Sequence, residues 1–209
     1  MSENDGEHGL SIRFASIDDA EAILGVYTPY VLNTALTFES TVPSIEEFRA
    51  RIARTQQMYP FLVCTVDDKI VGFAYAAESR QRDAYRWNAE LSIYVDSDYH
   101  RRGIATALYT ALFQITRAQG IVNLYAVIAL PNDASVALHR HFGFREIGVH
   151  QATGYKFNRW YDVVWMHHRI EGAHDPAIHG LPTPIESLHR NDVDTAITLA
   201  TALLKGVGT

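Results

Sequence analysis

The densest chemistry in this chain lies in residues 90–112, ELSIYVDSDYHRRGIATALYTAL. A strand-like run closes at Val95, a polar turn follows, and Arg101-Arg102-Gly103-Ile104-Ala105 opens a helix. Glycine lets a backbone approach a ligand closely. Free N–H groups at a helix start, with the helix dipole behind them, form an anion site. Arg101 and Arg102 add positive charge in a chain whose formal charge is −6, so an anion must be attracted locally. The pattern points to a phosphate or pyrophosphate on residues 101–106. The same residues also read as an arginine-rich turn before a small-residue helix start, and spacing alone leaves the two level.

Other candidate groups surround this stretch. Glu90, on an alternating strand, is a proton acceptor or a charge on a half-exposed polar face. His139 titrates near neutrality and is a catalytic group or a helix histidine bonded to backbone. Cys64 sits in the run Phe-Leu-Val-Cys-Thr-Val, where a thiol behaves as a small hydrophobe. His139 and His141 are two apart on a helix and do not face together. His167 and His168 are adjacent on a strand and point to opposite faces. No metal is expected.

The elements that must position these groups follow from capping and periodicity. Ile12 and Phe14 alternate with polar residues as a first strand. Ser16 with Asp19 and Ser44 with Glu47 are N-cap pairs opening two helices. Phe61–Val66 and residues 70–77 read as a hairpin, and residues 89–95 as a third strand after a polar loop. Gly103 opens an amphipathic helix that Gly120 ends. Residues 122–129 are nearly all apolar, as in a strand buried on both faces. A helix over 134–142 and strands near 144–151 and 160–169 follow. The order is that of a mixed α/β layer around one sheet.

Residues 1–10 read as a disordered leader, 11–170 as one domain, and 171–209 as a linker plus a C-terminal helix. The linker, 172–184, holds Pro176, Pro182 and Pro184, three of the seven prolines. The last helix, over 185–204, carries Ala196, Leu199, Ala200 and Leu203 as one stripe. That stripe covers an apolar face of the domain, packs on a partner subunit, or lies loose.

Composition narrows the function. At 209 residues, 47% hydrophobic and 20% charged, the chain is ordinary globular protein. Its single cysteine excludes a disulfide framework and a cysteine-rich zinc or iron–sulfur site. A net charge of −6 without a basic stripe argues against a nucleic-acid partner. The start, MSENDGEHG, lacks an export signal, and the longest apolar run, residues 121–130, is too short to span a bilayer. The expectation is a cytoplasmic protein with no membrane partner.

The run His100-Arg101-Arg102-Gly103-Ile104-Ala105 resembles the phosphate loop Gln/Arg-x-x-Gly-x-Gly/Ala of the GNAT acetyltransferase superfamily. His100 departs from the pattern at its first position, which leaves the backbone amides unaffected. Over about residues 11–168 the chain is most similar to the phosphinothricin and methionine sulfoximine N-acetyltransferase branch. The matching residues are Thr37-Phe38, Tyr59-Pro60, Gly72-Phe73-Ala74-Tyr75, Arg80-x-Arg82, Ala84-Tyr85, Glu90, Ser92-Ile93-Tyr94-Val95, Leu130-Pro131-Asn132, Ser135, His139, Gly154-Tyr155-Lys156 and Trp160-x-Asp162-Val163.

The resemblance implies an α/β fold with a central mixed sheet, flanked by helices and splayed between the strand ending at Val95 and the strand of residues 124–129. It implies acetyl-CoA as co-substrate, wedged into that splay along Ile93, Tyr94 and Val95. Its pyrophosphate would sit on Arg101, Arg102, Gly103, Ile104, Ala105 and Thr106, and its pantetheine arm near Asn132 and Ser135. The acceptor would approach from the opposite side, past Phe38, Arg80, Arg82, Tyr85 and Lys156. Arginine grips carboxylates and phosphinates in bidentate fashion, and Arg80 and Arg82 would face one side of an extended segment. An amine of pKa ~8 must lose a proton before attack. Glu90 is the first choice for that base and His139 the second. Trp160 and Asp162 line the acceptor pocket, mark a dimer contact or belong to the core, and a homodimer is expected.

The leading function is therefore acetyl-CoA-dependent N-acetylation of a small polar amino acid such as phosphinothricin, methionine sulfoximine or methionine sulfone. The alternatives are a peptide N-terminus or other amine as acceptor, and a non-catalytic acyl-CoA-binding module.

Overall fold

The computed structural model describes residues 9–172 and 180–205. Its elements are β1 (Leu10–Phe14), α1 (Ala20–Asn33), α2 (Ile45–Gln56), β2 (Phe61–Val66), β3 (Lys69–Glu78), β4 (Asn88–Val95), α3 (Ile104–Ala118), β5 (Asn123–Ala129), α4 (Asp133–His141), β6 (Arg145–Lys156), β7 (Arg159–Arg169) and α5 (Arg190–Lys205). The seven strands form one sheet in the order β1-β2-β3-β4-β5-β7-β6. Every neighbouring pair is antiparallel except β4 and β5, which run parallel. The mixed sheet flanked by helices is the fold class expected from the sequence.

Local chemistry explains the element starts. Ser16 and Asp19 form a reciprocal capping box that opens a 3-10 turn leading into α1, and Ser44 and Glu47 form another at α2. The β2–β3 hairpin turns at Asp67 and Asp68, whose φ angles are 49° and 64°, as a two-residue hairpin loop requires. Gly120, with φ 83°, follows the end of α3.

Alternate residues of β2 feed two cores, one on each face of the sheet. Phe61 and Val63 join Ile23 and Tyr27 of α1 and Phe48 and Ile52 of α2. Leu62 and Cys64 join Leu108 and Leu112 of α3 and Ala196, Ala200 and Leu204 of α5. Burial in this second core pushes the Cys64 thiol up to about 12, so it stays protonated and serves as packing. Among the described residues no helix is long and apolar enough to cross a membrane.

The C-terminal segment differs in detail from its sequence reading. The helix starts at Arg190, after a separate 3-10 turn at Ile185–Ser187. It packs on α3 and β1, but through Ala196, Ala200 and Leu204, while Leu199 is 52% and Leu203 45% exposed. The docked stripe is Ala196, Ala200 and Leu204 at four-residue spacing, and Leu199 and Leu203 flank it on the solvent side. Most of the expected leader and part of the linker, residues 1–8 and 173–179, lie outside the described residues. Leu10 already belongs to β1, so the strand begins inside the expected leader. Residues 180–185 are tied to the domain: the Trp87 indole donates to the Gly180 carbonyl at 3.1 Å, and the Thr183 amide to the Gln119 carbonyl at 2.8 Å.

Docking of α5 is testable. Ala200→Leu forces extra volume into a closed contact and is expected to lower unfolding free energy by about 1–3 kcal/mol. Leu199→Ala on the exposed side is expected to stay within about 0.5 kcal/mol. Urea unfolding of both variants decides, and equal effects would mean that α5 is not docked through Ala200.

Candidate active site

The site is built on a break in the sheet. β4 and β5 pair only from Asn88–Asn123 to Glu90–Tyr125. Beyond that rung β4 stays paired with β3 as far as Val95, and β5 with β7 as far as Ala129. The two strands therefore diverge while each keeps its other neighbour. The Asn123 side chain donates to the Asn88 side chain at 2.9 Å and closes the narrow end. A cavity of about 400 Å³ fills the opening, lined by residues of β4 and β5, the start of α3, and α4.

At the mouth of the cavity, Arg101 has φ 61° and Gly103 φ 71°. Gly103 is the N-cap of α3, and no side chain caps that helix start. Its first amides therefore face outward without an intrahelical acceptor, with fifteen helical residues behind them. Arg101, Gly103, Ile104, Ala105 and Thr106 line the cavity, as do Ile93, Tyr94 and Val95. Arg102 does not: its guanidinium lies over the Tyr99 ring, 5.0 Å from the centroid. His100 turns inward instead. Its Nε2 lies 2.9 Å from the Val95 carbonyl oxygen, to which the Tyr30 hydroxyl also donates.

Across the cavity, Asn132 caps α4 by accepting from the Ser135 amide at 3.2 Å. Ser135 and His139 line the same wall. His139 is 2% exposed. Its Nδ1 lies 2.7 Å from the Ser135 carbonyl oxygen, and its Nε2 lies 2.8 Å from the Tyr109 hydroxyl. A carbonyl only accepts, so Nδ1 carries the proton and Nε2 accepts from Tyr109. Burial holds this imidazole below its ordinary pKa, and it pushes the Tyr109 phenol well above its own. The pair is a neutral, fully engaged relay beside the cavity.

Glu90 lies at the last paired rung, half-buried, and desolvation alone raises its carboxyl above the usual range. No cation compensates this shift among its causes. Such a carboxylate holds a proton more strongly than an exposed one, which suits a base working near neutral pH. It stands at the closed end of the splay and is not part of the cavity lining.

The expected acceptor residues fall into two groups, neither lining this cavity. Arg80, Arg82 and Tyr85 lie on the β3–β4 loop, where Arg80 stacks on Tyr85 at 5.3 Å. This segment bends and enters a 3-10 turn at Asp83–Tyr85, so alternation along an extended strand does not set the directions of Arg80 and Arg82. Phe38 lies against the β6–β7 hairpin: a Cβ on Gly154 would stand 2.0 Å from its ring. The Lys156 ammonium donates to the carbonyls of Val31 at 2.7 Å and Thr37 at 2.8 Å. It is 7% exposed and ties the hairpin to the α1–α2 loop, so the structure gives it a tethering role where acceptor contact was expected. The sequence reading missed Tyr109, Tyr30 and Asn88. Each acts through a partner 30 or more positions away, and local spacing carries no trace of that.

Comparison with known proteins bears on the same site. A family model described as an acetyltransferase (GNAT) domain matches residues 12–165. The chain belongs to the GNAT acetyltransferase family and is an acyltransferase. Within that family it is similar to a phosphinothricin N-acetyltransferase of Streptomyces viridochromogenes, with 36% identity over 74% of this chain and 84% of the relative. It is 35% identical to an L-methionine sulfoximine/L-methionine sulfone acetyltransferase of Pseudomonas paraeruginosa, over 75% of this chain and 92% of the relative. A crystal structure of a phosphinothricin acetyltransferase from Sinorhizobium meliloti, in complex with AcCoA, superposes with TM-score 0.75 and 33% identity, covering 87% of this chain and 96% of that one.

The buried neutral His139 makes the stability of the fold depend on pH. The folded pKa of His139 lies below its unfolded value of about 6.5. The unfolded chain therefore binds more protons as pH falls, and stability present above about pH 6.5 is lost toward the folded pKa. His139→Gln replaces the imidazole with an uncharged amide that still donates and accepts, and is expected to flatten the stability curve below about pH 6.5. Urea unfolding across that range checks this. A slope equal to the parent's would place the titration elsewhere, His167 being the other histidine held low.

Proposed function

We propose that the chain transfers the acetyl group of acetyl-CoA, by direct attack, to the amine of a small polar amino acid of the phosphinothricin, methionine sulfoximine or methionine sulfone type. The observation that carries this reading is the splay itself: a cavity bounded by an unpaired strand edge and by a helix start with uncapped amides. The names of the relatives support the acceptor class.

In this reading the amides of Arg101 to Thr106 take the pyrophosphate, with Arg101 and Arg102 adding charge. The free edge from Ile93 to Val95 holds the pantetheine arm, with the Asn132 amide and Ser135 opposite. Glu90 accepts the proton of the attacking amine, directly or through a water. It ranks above His139, whose two ring nitrogens are already engaged by Ser135 and Tyr109. A backbone N–H near Tyr94 meets the tetrahedral oxyanion. The new C–N bond forms as the C–S bond breaks, and a thiol of pKa ~8.5 departs without a strong acid. Arg80 and Arg82 contact the acceptor's anionic end, with Phe38 and Tyr85 beside it.

The reading also includes a homodimer working in the cytoplasm, and an acetyltransferase domain over 11–170 with the C-terminal helix as an appendage. The β6–β7 hairpin supports the dimer, because it exposes Ile147, Val149, Tyr155, Phe157 and Trp160 at the sheet edge.

Thiol release from acetyl-CoA is expected to saturate with L-phosphinothricin, L-methionine sulfoximine and L-methionine sulfone, and to be absent with spermidine. Glu90→Gln is expected to lower kcat by about 10²–10⁴-fold with little change in the KM for acetyl-CoA. The parent's rate is expected to rise with pH through a carboxyl pKa above about 4.3. Activity with the amine or a peptide alone would overturn the acceptor, and an unchanged kcat would remove Glu90 as base.

Sedimentation is expected to give twice the chain mass, and Trp160→Asp is expected to shift the population toward monomer. A monomer at micromolar concentration in the parent protein would refute the dimer.

A further inference from the structure

We propose that Tyr30 and His100 are positioning residues: by occupying the Val95 carbonyl at the mouth of the splay, they set the register in which the arm of acetyl-CoA pairs with β4. This deepens the proposed function and rests on acetyl-CoA lying in the splay.

The parity of β4 decides which backbone groups face the splay. The Asp96 amide donates to the Val71 carbonyl of β3 at 2.8 Å. In a trans peptide the C=O and the following N–H point opposite ways. The Val95 carbonyl therefore points away from β3 and into the splay. In the register with β3, Gly72 stands opposite Val95, Ala74 opposite Ile93 and Ala76 opposite Leu91. Bonding direction alternates along a strand, so these three β4 residues share one orientation. The edge open to a ligand is the N–H and C=O groups of Leu91, Ile93 and Val95, and those of Val95 come first from the mouth.

The Val95 carbonyl is already closed. Tyr30 of α1 donates its hydroxyl at 2.5 Å, and His100 donates its Nε2–H at 2.9 Å. Both lone pairs of the oxygen are then used. Burial holds the Tyr30 phenol above its ordinary pKa, so it stays a donor. Its ring is set edge-on against Tyr94, with centroids 5.1 Å apart. A 3-10 turn at Ser97–Tyr99 brings His100 back to the strand end, and Asp96 caps that turn by accepting from the Asp98 amide at 3.1 Å. His100 is also where the chain departs from the phosphate-loop pattern. Its imidazole spends that donor on the strand instead of on a phosphate.

The helix start beside this knot is fixed as well. A Cβ on Gly72 would stand 3.2 Å from the Ile104 side chain and 3.3 Å from the Tyr94 carbonyl oxygen, so α3 begins directly against β3 and β4. The anion site and the strand edge thus keep one spacing. With the Val95 carbonyl closed, an amide N–H of the arm finds its first free acceptor at Ile93. With it open, the arm pairs one repeat early, and the thioester stops about 6.6 Å short of its place near Glu90. A misplacement of about 1 Å already costs up to about 10²-fold in rate. Such a complex is bound and unreactive.

The test is Tyr30→Phe with His100→Phe in the full chain, at saturating L-methionine sulfone and varied acetyl-CoA. An unreactive complex that competes with the reactive one lowers kcat and the KM for acetyl-CoA by the same factor and leaves kcat/KM unchanged, whereas simple structural damage lowers kcat/KM. Both constants are expected to fall by about threefold to tenfold, the factor that one hydrogen bond supplies. His100→Gln, whose amide donates to the same oxygen, is expected to keep the parent's constants. If the double variant does not fold, His100→Phe alone, at an exposed position, makes the same test. A fall in kcat/KM, or constants equal to the parent's, overturns the proposal. Ala105→Asp separates this from failure of the wider reading. It sets a carboxylate among the amides of the helix start, which a helix tolerates, and is expected to abolish calorimetric binding of acetyl-CoA. Binding that survives it removes the cofactor from the splay, and both readings fall. Lost binding there, beside a double variant that behaves as the parent, overturns the register alone.

Discussion

The site depends on a defect in the sheet. A parallel pair of strands ordinarily keeps its ladder, because buried backbone N–H and C=O groups without partners cost free energy. Here the β4–β5 ladder stops at Glu90 and Tyr125. The break is tolerable because neither strand loses its outer neighbour, so each is held straight by β3 or β7. At the open end the Val95 carbonyl is met by Tyr30 and His100. At the closed end two asparagine side chains bond across the strands. What remains unpaired faces a cavity, where a ligand can complete the ladder. Substrate binding and sheet completion are then one event.

Two buried cationic or titratable groups show how the rest of the molecule serves this opening. His139 is locked by Ser135 and Tyr109, which fixes the wall of α4 against α3. Lys156 is locked by the Val31 carbonyl in the last turn of α1 and the Thr37 carbonyl of the α1–α2 loop, which fixes the β6–β7 hairpin to both. Phe38 then fills the space that only a glycine at 154 leaves open. An ammonium shielded from water must make such bonds, since desolvation already favours its neutral form. The hairpin therefore carries two duties. One side exposes an apolar edge, and the other holds Phe38 in place. A partner subunit on that edge would stiffen the loop next to it.

Much of this was legible in the residues. The strand–turn–helix around Gly103 needed only local signals: an alternating strand, a glycine and a helix start. The two capping boxes were readable for the same reason, because cap and partner are three positions apart. Glu90 was recognisable by its place in the matched pattern, while its desolvation came only with the fold. The directions of Arg80 and Arg82 were not readable, because a bend replaced the extended segment that alternation assumes. Lys156 misled because a cation in a matched motif suggests a ligand, while its actual partners are backbone carbonyls over 100 positions away. The stripe of α5 misled by one position, since alanine and leucine crowd both faces of that helix and only the packing chooses between them.

The C-terminal segment acts on the domain through α3. Gln119 follows the end of that helix, is 1% exposed, and donates to the carbonyls of both Met58 and Thr183. Those two bonds join the segment after α2, the end of α3 and the C-terminal chain in one joint. Ile185 reinforces it by donating to the Met58 carbonyl. The other end of α3 presents the uncapped amides, and Tyr109 lies between. A helix of fifteen residues is rigid over about 22 Å. The cavity in the splay thus lies at one end of a stiff element and this joint at the other, with α5 packed against it. The C-terminal helix fixes how that element sits on the sheet, and so the placement of the uncapped amides beside the splay.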